Sequence, residues 1–488
     1  MQENKERMEN LKDKTAKGLL WGGFGNGMQQ FLGLAAGIVL GRLLSPDDYG
    51  LMAMIVVFSL IANELQNSGF KVALTNLDAP TSRDYNSVFW FNTMMGALMY
   101  VILFFSAPLI AGYYRRPELI PLCRYAFLGF VFSSFGVVQS AYLFKNLMAR
   151  QQAQANIMAT LASVAVGVGM AWLGFGYWAI ASQNVVYIGT NTLLLWHYSS
   201  WRPSFSIDFG PVRKMFRFSC KILLSGIFTI LNNNILNVLL GRYFSAHATG
   251  VYNQAYQWHS KVFYLIQGSV QVVAQPVFVD LRSEKERQLK ALRKFMRFTS
   301  FLAFPMMFGF GLVSEEFIVL TITEVWRPSA ILIKYLSVSG AFVPLSFLLS
   351  NVIMSKGKSG VYMWSTICLG VIQVLLMIAL HSYGIHTMVV AYVCVTIAWF
   401  FVWHHLAGRY TGYGVLMVLS DVLPFCLSAF AVMALTYFMT SGITNLYLLL
   451  ISRVVIAAAL YYFVRRALRC EILNECIGFA KSRIKRKQ

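Results

Sequence analysis

Two side chains of opposite charge stand in stretches that are otherwise apolar. Glu64 lies about 14 residues into the run 51–72, and Lys261 about 12 residues into the run 250–277. A charge at the centre of a membrane helix costs about 2.5–3.5 kcal/mol on insertion scales, so each must be paired or hydrated. Amides surround both. The run 51–72 carries Asn63, Gln66 and Asn67, and 250–277 carries Gln254, Gln257, His259 and Gln267. The run 18–40 adds Asn26, Gln29 and Gln30, and 218–240 adds Asn232, Asn233, Asn234 and Asn237. Two chemistries fit. Glu64 and Lys261 could form a structural pair among interhelical amide bonds, or the four segments could line a hydrated, ligand-binding cavity.

A second pair, Asp421 and Arg453, falls in 414–438 and 444–464. Their depths differ by roughly 6 Å at about 1.5 Å per residue, which predicts a structural clamp between the last two helices. Arg42 and Arg242 end the runs 18–40 and 218–240, where they could close a gate, meet headgroups or snorkel.

Other chemistries are set aside. Gly357-Lys358-Ser359 resembles the end of a phosphate loop, but Val352 stands where its first glycine belongs. No nucleophile elbow or HExxH pattern occurs, and His404-His405 reads as interfacial. The seven cysteines (Cys123, Cys220, Cys368, Cys394, Cys426, Cys470 and Cys476) lack zinc-site spacing and read as packing residues. No metal or cofactor is expected.

The elements that must position these groups are apolar helices. Only 12% of the 488 residues are charged, and the mean hydropathy is +0.58. About 25% is usual for a soluble domain, so an all-α polytopic membrane protein is expected. Helices are predicted at 18–40, 51–72, 88–111, 120–143, 154–173 and 176–197. A second series follows at 218–240, 250–277, 296–313, 330–354, 360–380 and 385–407, with a last pair at 414–438 and 444–464. That makes about fourteen. The corresponding division is a basic N-tail (1–17), an N-lobe (18–198), an amphipathic linker (199–217), a C-lobe (218–409), two added helices (410–464) and a basic tail (465–488). The N-terminus shows no cleavage site after its apolar run, so the first helix is expected to be retained.

The net charge of +21 follows the loops, not nucleic acid. Lys and Arg gather in the N-tail, 199–217 (Arg202, Arg213, Lys214, Arg217), 280–295 (six, Arg282 to Lys294) and 465–488. The alternate loops hold only Arg42, Arg115, Arg116, Arg242 and Arg327. Basic loops stay inside, which predicts cytoplasmic termini and an even helix count. The outer loops are short, the longest at roughly 314–329, so no outer catalytic domain is expected.

A half-length repeat organises the chain. Leu40–Gly50, LGRLLSPDDYG, shares its skeleton with Leu240–Gly250, LGRYFSAHATG. The offset is 200, as in Gly41 and Gly241, Arg42 and Arg242, Ser45 and Ser245, Gly50 and Gly250. Such a repeat implies a transporter of two like halves. It maps Lys261 onto Ile61, one helical turn from Glu64 on the same face. The second turn has Ala246, His247 and Ala248 where the first has Pro46, Asp47 and Asp48. Gly22, Gly23, Gly25 and Gly27 could let the first helix bend, and Gly33, Gly37 and Gly41 could make a packing stripe.

At these residues the chain resembles the lipid-linked oligosaccharide (polysaccharide) flippases of the superfamily that holds the multidrug exporters, and in particular the colanic-acid-type branch. The similar stretches are LLWGGFGNGMQQFLGLAAGIVLGRLLSPDDYGLMAM, NSVFWFN (86–92), YYRRPELIPL (113–122), LGFGYWAIASQ (173–183) and NVLLGRYFSAHATGVYNQAY (237–256). The resemblance covers roughly residues 15–300. It implies two six-helix lobes around a cavity, a final helix pair associated with a lipid tail, and no enzymatic step. It also implies an undecaprenyl-diphosphate-linked oligosaccharide moved outward by alternating access in a bacterial inner membrane. On that reading amides of Asn26, Gln30, Asn63, Asn233, Asn237 and Gln257 meet sugar hydroxyls and Lys261 meets the diphosphate, near Glu64, Arg42 and Arg242. The bilayer and polysaccharide polymerase machinery are the expected partners of a monomer. The alternatives are a cation-coupled drug antiporter, for which about twelve helices would suffice, and a membrane glycosyltransferase or ligase, which would need a large outer loop. A channel would need a filter-like interruption of its helices, and none is present.

Overall fold

A computed structural model describes residues 2–67, 74, 80–205, 208, 210–475 and 477–478; side chains of 2–20, 66–67, 211–222 and 224–225 lie outside that description. The expected basic side chains of the N-tail, of 211–217 and of 479–488 therefore fall outside it, as do the thiols of Cys220 and Cys476 and the end of the predicted helix 51–72. The described residues are helical and contain no strand. Eleven helical stretches among them are long and apolar enough to cross a membrane. Large apolar side chains stay outward, as at Trp172 (78% exposed), Phe438 (72%) and Leu416 (83%). That surface suits hydrocarbon and not water.

The chain forms two compact units, Met1–Gly250 and Val251–Gln488. In the first, α1 (Gln2–Leu43) packs against α7 (Ala149–Trp172), and α7 against α8 (Tyr177–Tyr198). Helix α9 (Gly210–Tyr243) lies on α2 (Pro46–Asn67) and α3 (Ser82–Tyr114). The core between them holds Met54, Ile55, Ala107, Tyr114 and Leu119. Close approach on α1 falls at Gly25, where an added Cβ would stand 2.6 Å from Ala153 Cβ, and not at Gly33, which has nothing within 4 Å. Capping boxes set the starts of α2 and α3. Thr81 and Asp84 bond each other's backbone, and Ser45 and Asp48 do the same.

The predicted helix 120–143 divides into α4 (Leu119–Ala126), α5 (Leu128–Ser134) and α6 (Val137–Lys145). Ser133 and Ser134 donate to Phe130 O and Val131 O, three residues back, and Gly136 follows. Hydroxyls that bond nearby carbonyls and a flexible glycine both weaken the helical ladder.

The second unit begins inside α10 (Ala246–Asp280) and is centred on α11 (Lys285–Leu312). Helix α11 starts eleven residues before the predicted 296. The charged run 285–295 was expected as loop, yet Gln288, Leu292 and Met296 are buried at four-residue spacing, so the packing stripe continues through it. Short α12 (Ser314–Thr321) follows. The predicted helix 330–354 breaks into α13 (Arg327–Gly340) and α14 (Val343–Ser355), because Pro344 lacks an N–H and restricts the residue before it. Then come α15 (Ser359–Leu380), α16 (Ile385–Thr411), α17 (Val415–Thr440) and α18 (Leu446–Ala467), of which α16, α17 and α18 pack on α11.

Candidate functional site

Lys261 projects from the exposed side of α10, its ammonium 4.2 Å from the centroid of the Trp258 ring one turn back. Trp258 is buried, so it fixes the lysine by a cation–π contact. Among the described residues of its unit Lys261 forms no ion pair, which leaves the charge available to an anion. Gln257 lies one turn away on the same face and donates to Asn253 Oδ1 at 2.6 Å. Continuing down α10, Gly268, Gln271, Gln275 and Asp280 line a cavity of about 780 Å³. Steps of three and four residues join 257, 261, 264, 268, 271 and 275 into one stripe. Gln271 and Gln275 were missed in the sequence; their spacing from Lys261 was the available signal. Gln254 and His259 turn inward and are buried.

In the first unit, Asn26, Gln30, Asn63 and Arg42 are exposed, and Asn233 is half-buried. Asn237 is 1% exposed, packed inside the unit. Glu64 is half-buried against α9, where a Cβ on Gly226 would stand 2.3 Å from its Oε1. A side chain at 226 would displace the carboxylate from this seat. Gln29 donates to Tyr187 Oη at 2.9 Å, tying α1 to α8. Arg242 donates to Tyr113 O and covers the Tyr113 ring at 5.1 Å.

The two repeat turns meet in a reciprocal contact. An ideal Cβ on Gly50 would lie 1.8 Å from Ala246 O, and one on Gly250 would lie 1.7 Å from Pro46 O. Since 46 and 246 share the offset of 50 and 250, each turn presses its glycine on the other's first helical residue. Asp47 and His247, equivalent to each other, touch at 3.3 Å, carboxylate to Nδ1. The local geometry is also repeated. Leu44 N–H donates to Leu40 O and Phe244 N–H to Leu240 O, both at 2.9 Å. Ser45 and Ser245 accept from the amides of residues 48 and 248.

The expected Asp421–Arg453 pair does not form. Asp421 accepts two hydrogen bonds from Arg293, at 2.8 and 3.0 Å, and one from Tyr413 Oη at 3.1 Å. Arg453 donates to Glu316 at 2.6 Å and to Leu312 O at 3.1 Å. Helix α18 runs to Ala467, past the predicted 464, so Arg453 stands 14 residues from its end, while Asp421 is six from the start of α17. The difference is about 12 Å at 1.5 Å per residue, too far for a direct bond.

A helical chain with apolar spans, a half-length repeat and a polar stripe on one of those spans is a polytopic all-α membrane transporter. It belongs to the polysaccharide biosynthesis protein family, whose model matches residues 39–331 and takes in both repeat turns. The chain is similar to the teichuronic acid biosynthesis protein TuaB of Bacillus subtilis (strain 168), 26% identical over 334 residues, covering 66% of this chain and 67% of the relative. It is also similar to the lipopolysaccharide biosynthesis protein WzxC of Escherichia coli (strain K12), 23% identical over 355 residues and 71% of each chain. Among solved structures, the inward closed conformation of the lipid II flippase MurJ matches with a TM-score of 0.70, covering 92% of this chain and 99% of that one. At 15% identity that likeness is one of fold.

Proposed function

We propose that the chain flips a polyprenyl-diphosphate-linked oligosaccharide from the inner to the outer leaflet of a bacterial cytoplasmic membrane, by alternating access and without covalent chemistry. Family membership carries this reading, since the match takes in both repeat turns. The fold shared with a lipid II flippase supports it. On this reading Lys261 binds the diphosphate, and amides along α10, with Asn26, Gln30, Asn63 and Asn233, meet sugar hydroxyls. Glu64, Arg42 and Arg242 bias the state of the cycle. Counting α1, α8 and α9 with the eleven apolar stretches makes fourteen spans in a monomer, the last two added to two six-helix lobes. Both termini are cytoplasmic, as the Lys and Arg distribution supports. The polysaccharide polymerase is the natural neighbour of the product.

The test is flipping of a fluorescent lipid-linked oligosaccharide by full-length protein in liposomes. Lys261→Gln should abolish flux at normal incorporation, and Lys261→Arg should retain part of it. Wild-type flux in Lys261→Gln and Glu64→Gln would remove the site assignment. Export of a cationic dye without lipid flipping would replace the function with drug antiport.

A further inference from the structure

A second cavity, of about 700 Å³, lies in the second unit between α10, α11 and the start of the C-terminal tail. Val270, Val273 and Val277 form one wall, Phe295 and Phe298 another, and Ile472 closes it. Its mouth is charged. Lys294 Nζ stands 2.8 Å from Glu475 Oε2, and both side chains are more than half exposed. Lys290, one turn earlier on the same face, is exposed and makes no ion pair among the described residues. From Ser269 to Val277 the groove runs about 12 Å, less than half of a roughly 30 Å hydrocarbon core, so it is short enough to fit within one leaflet.

We propose that this groove binds an anionic phospholipid of the leaflet on the tail side, with one acyl chain between α10 and α11 and the phosphate on Lys290 and Lys294. The chemistry of the groove selects that occupant. Its walls are apolar and meet the bilayer, where a hydrocarbon chain is the available filler. Lys294 on its rim and Lys290 one turn away set two ammonium groups against the Glu475 carboxylate, an excess of positive charge that an anion balances. An exposed ion pair contributes little, so a phosphate can exchange with Glu475 at small cost. Basic pockets between helices on the cytoplasmic side are where anionic headgroups gather. The inference rests on the tail being cytoplasmic, and the groove is separate from the Lys261 stripe. The tail helix is also tied by Arg297 to Glu471 at 3.4 Å, so displacement of Glu475 leaves it attached.

The test is native mass spectrometry of the full-length protein in detergent, titrated with dioleoyl-phosphatidylglycerol or dioleoyl-phosphatidylcholine. The first phosphatidylglycerol adduct should appear at roughly thirtyfold lower lipid concentration, the preference that two lysines at about 1 kcal/mol each supply. Lys290→Gln/Lys294→Gln should erase that preference, and Ala291→Trp should remove the first adduct by filling the groove. Glu475→Gln, which removes only a competing carboxylate, should strengthen phosphatidylglycerol binding and guards against misfolding of the other variants. Equal retention of both lipids by the wild type overturns the proposal, as does undiminished binding in the variants. Displacement of phosphatidylglycerol by undecaprenyl phosphate, but not the reverse, assigns the groove to an isoprenoid and overturns it too. Flipping in the Lys261 assay is read separately, so failure of one reading leaves the other standing.

Discussion

Replacing Gly50 by alanine tests the meeting of the two repeat turns most directly. The new Cβ would lie 1.8 Å from Ala246 O, whereas ordinary contact begins near 3.4 Å. The backbone must therefore retreat by about 1.6 Å, because a carbonyl held in the first turn of a helix cannot rotate away. Overpacking of this kind costs about 1–3 kcal/mol, against a gain of about 0.5–1 kcal/mol from alanine's helix preference. The net effect is a loss of roughly 0.5–2 kcal/mol. Gly250→Ala meets Pro46 O at 1.7 Å and should cost the same. Gly33→Ala has nothing within 4 Å and should be neutral or stabilising. The assay is thermal unfolding of purified protein, together with the yield of a disulfide between Asp47→Cys and His247→Cys with and without Gly50→Ala. Gly50→Ala and Gly250→Ala should both lower the unfolding temperature, and Gly50→Ala should lower the disulfide yield. Refutation would be a Gly50→Ala protein that unfolds at the wild-type temperature with full cross-linking, or a loss confined to one glycine.

Glu316→Gln should reduce membrane abundance sharply, since it strands Arg453 in a site where both side chains are less than 10% exposed. Breaking a buried pair costs about 3–5 kcal/mol. Exchanging the charges of Asp421 and Arg453 should rescue nothing, whereas exchanging Glu316 with Arg453 should restore part of the abundance. Asp421→Asn should cost less than Glu316→Gln, because Arg293 is one-third exposed and can rehydrate. Outside the spans, the Gly210 N–H and Arg83 hold the Asp208 carboxyl below the usual carboxylate range. A depressed folded pKa means its contribution is present above the unfolded value, about 3.9, and is lost as pH falls through the folded one. Protection of the Gly210 amide from hydrogen exchange should therefore persist at neutral pH and fall only under stronger acid. Asp208→Asn should make it independent of pH.

The apolar helices were legible because each repeats a membrane-length run with few charges, and the register mark LGR…S…G was legible because both copies retain it. Helix ends were not. Charge density signals a loop and delays the predicted start of α11 to 296, yet KERQLKALRK is made of strong helix formers with a buried stripe. That error hid Arg293, the true partner of Asp421. Placing 314–329 in an outer loop likewise hid Glu316, which α12 buries. In the site, the exposed positions of Lys261, Gln257 and Asn26 follow from polarity alone, but the inward turn of Asn237 and His259 depends on helix rotation. The close seat of Glu64 on Gly226 depends on a tertiary crossing that no local pattern encodes.

The departure of the second turn from the first has a structural reason. In a reciprocal contact, every residue of one turn meets a different residue of the other, except at the local axis, where a residue meets its own equivalent. Asp47 and His247 occupy that position, 3.3 Å apart. A faithful copy would bring two carboxylates together there, and like charges placed opposite each other destabilise the contact. The change from Asp to His thus removes a repulsion that the repeat itself would create. Both side chains are about half exposed, so the penalty is modest. His247→Asp should lower the unfolding temperature of the purified protein, with the loss relieved by salt or by acid that protonates the pair. His247→Asn, which keeps a neutral hydrogen-bonding group, should unfold as the wild type does. If His247→Asp unfolds at the wild-type temperature at low ionic strength, the axis carries no electrostatic demand, and the loss of the second acidic turn has another origin.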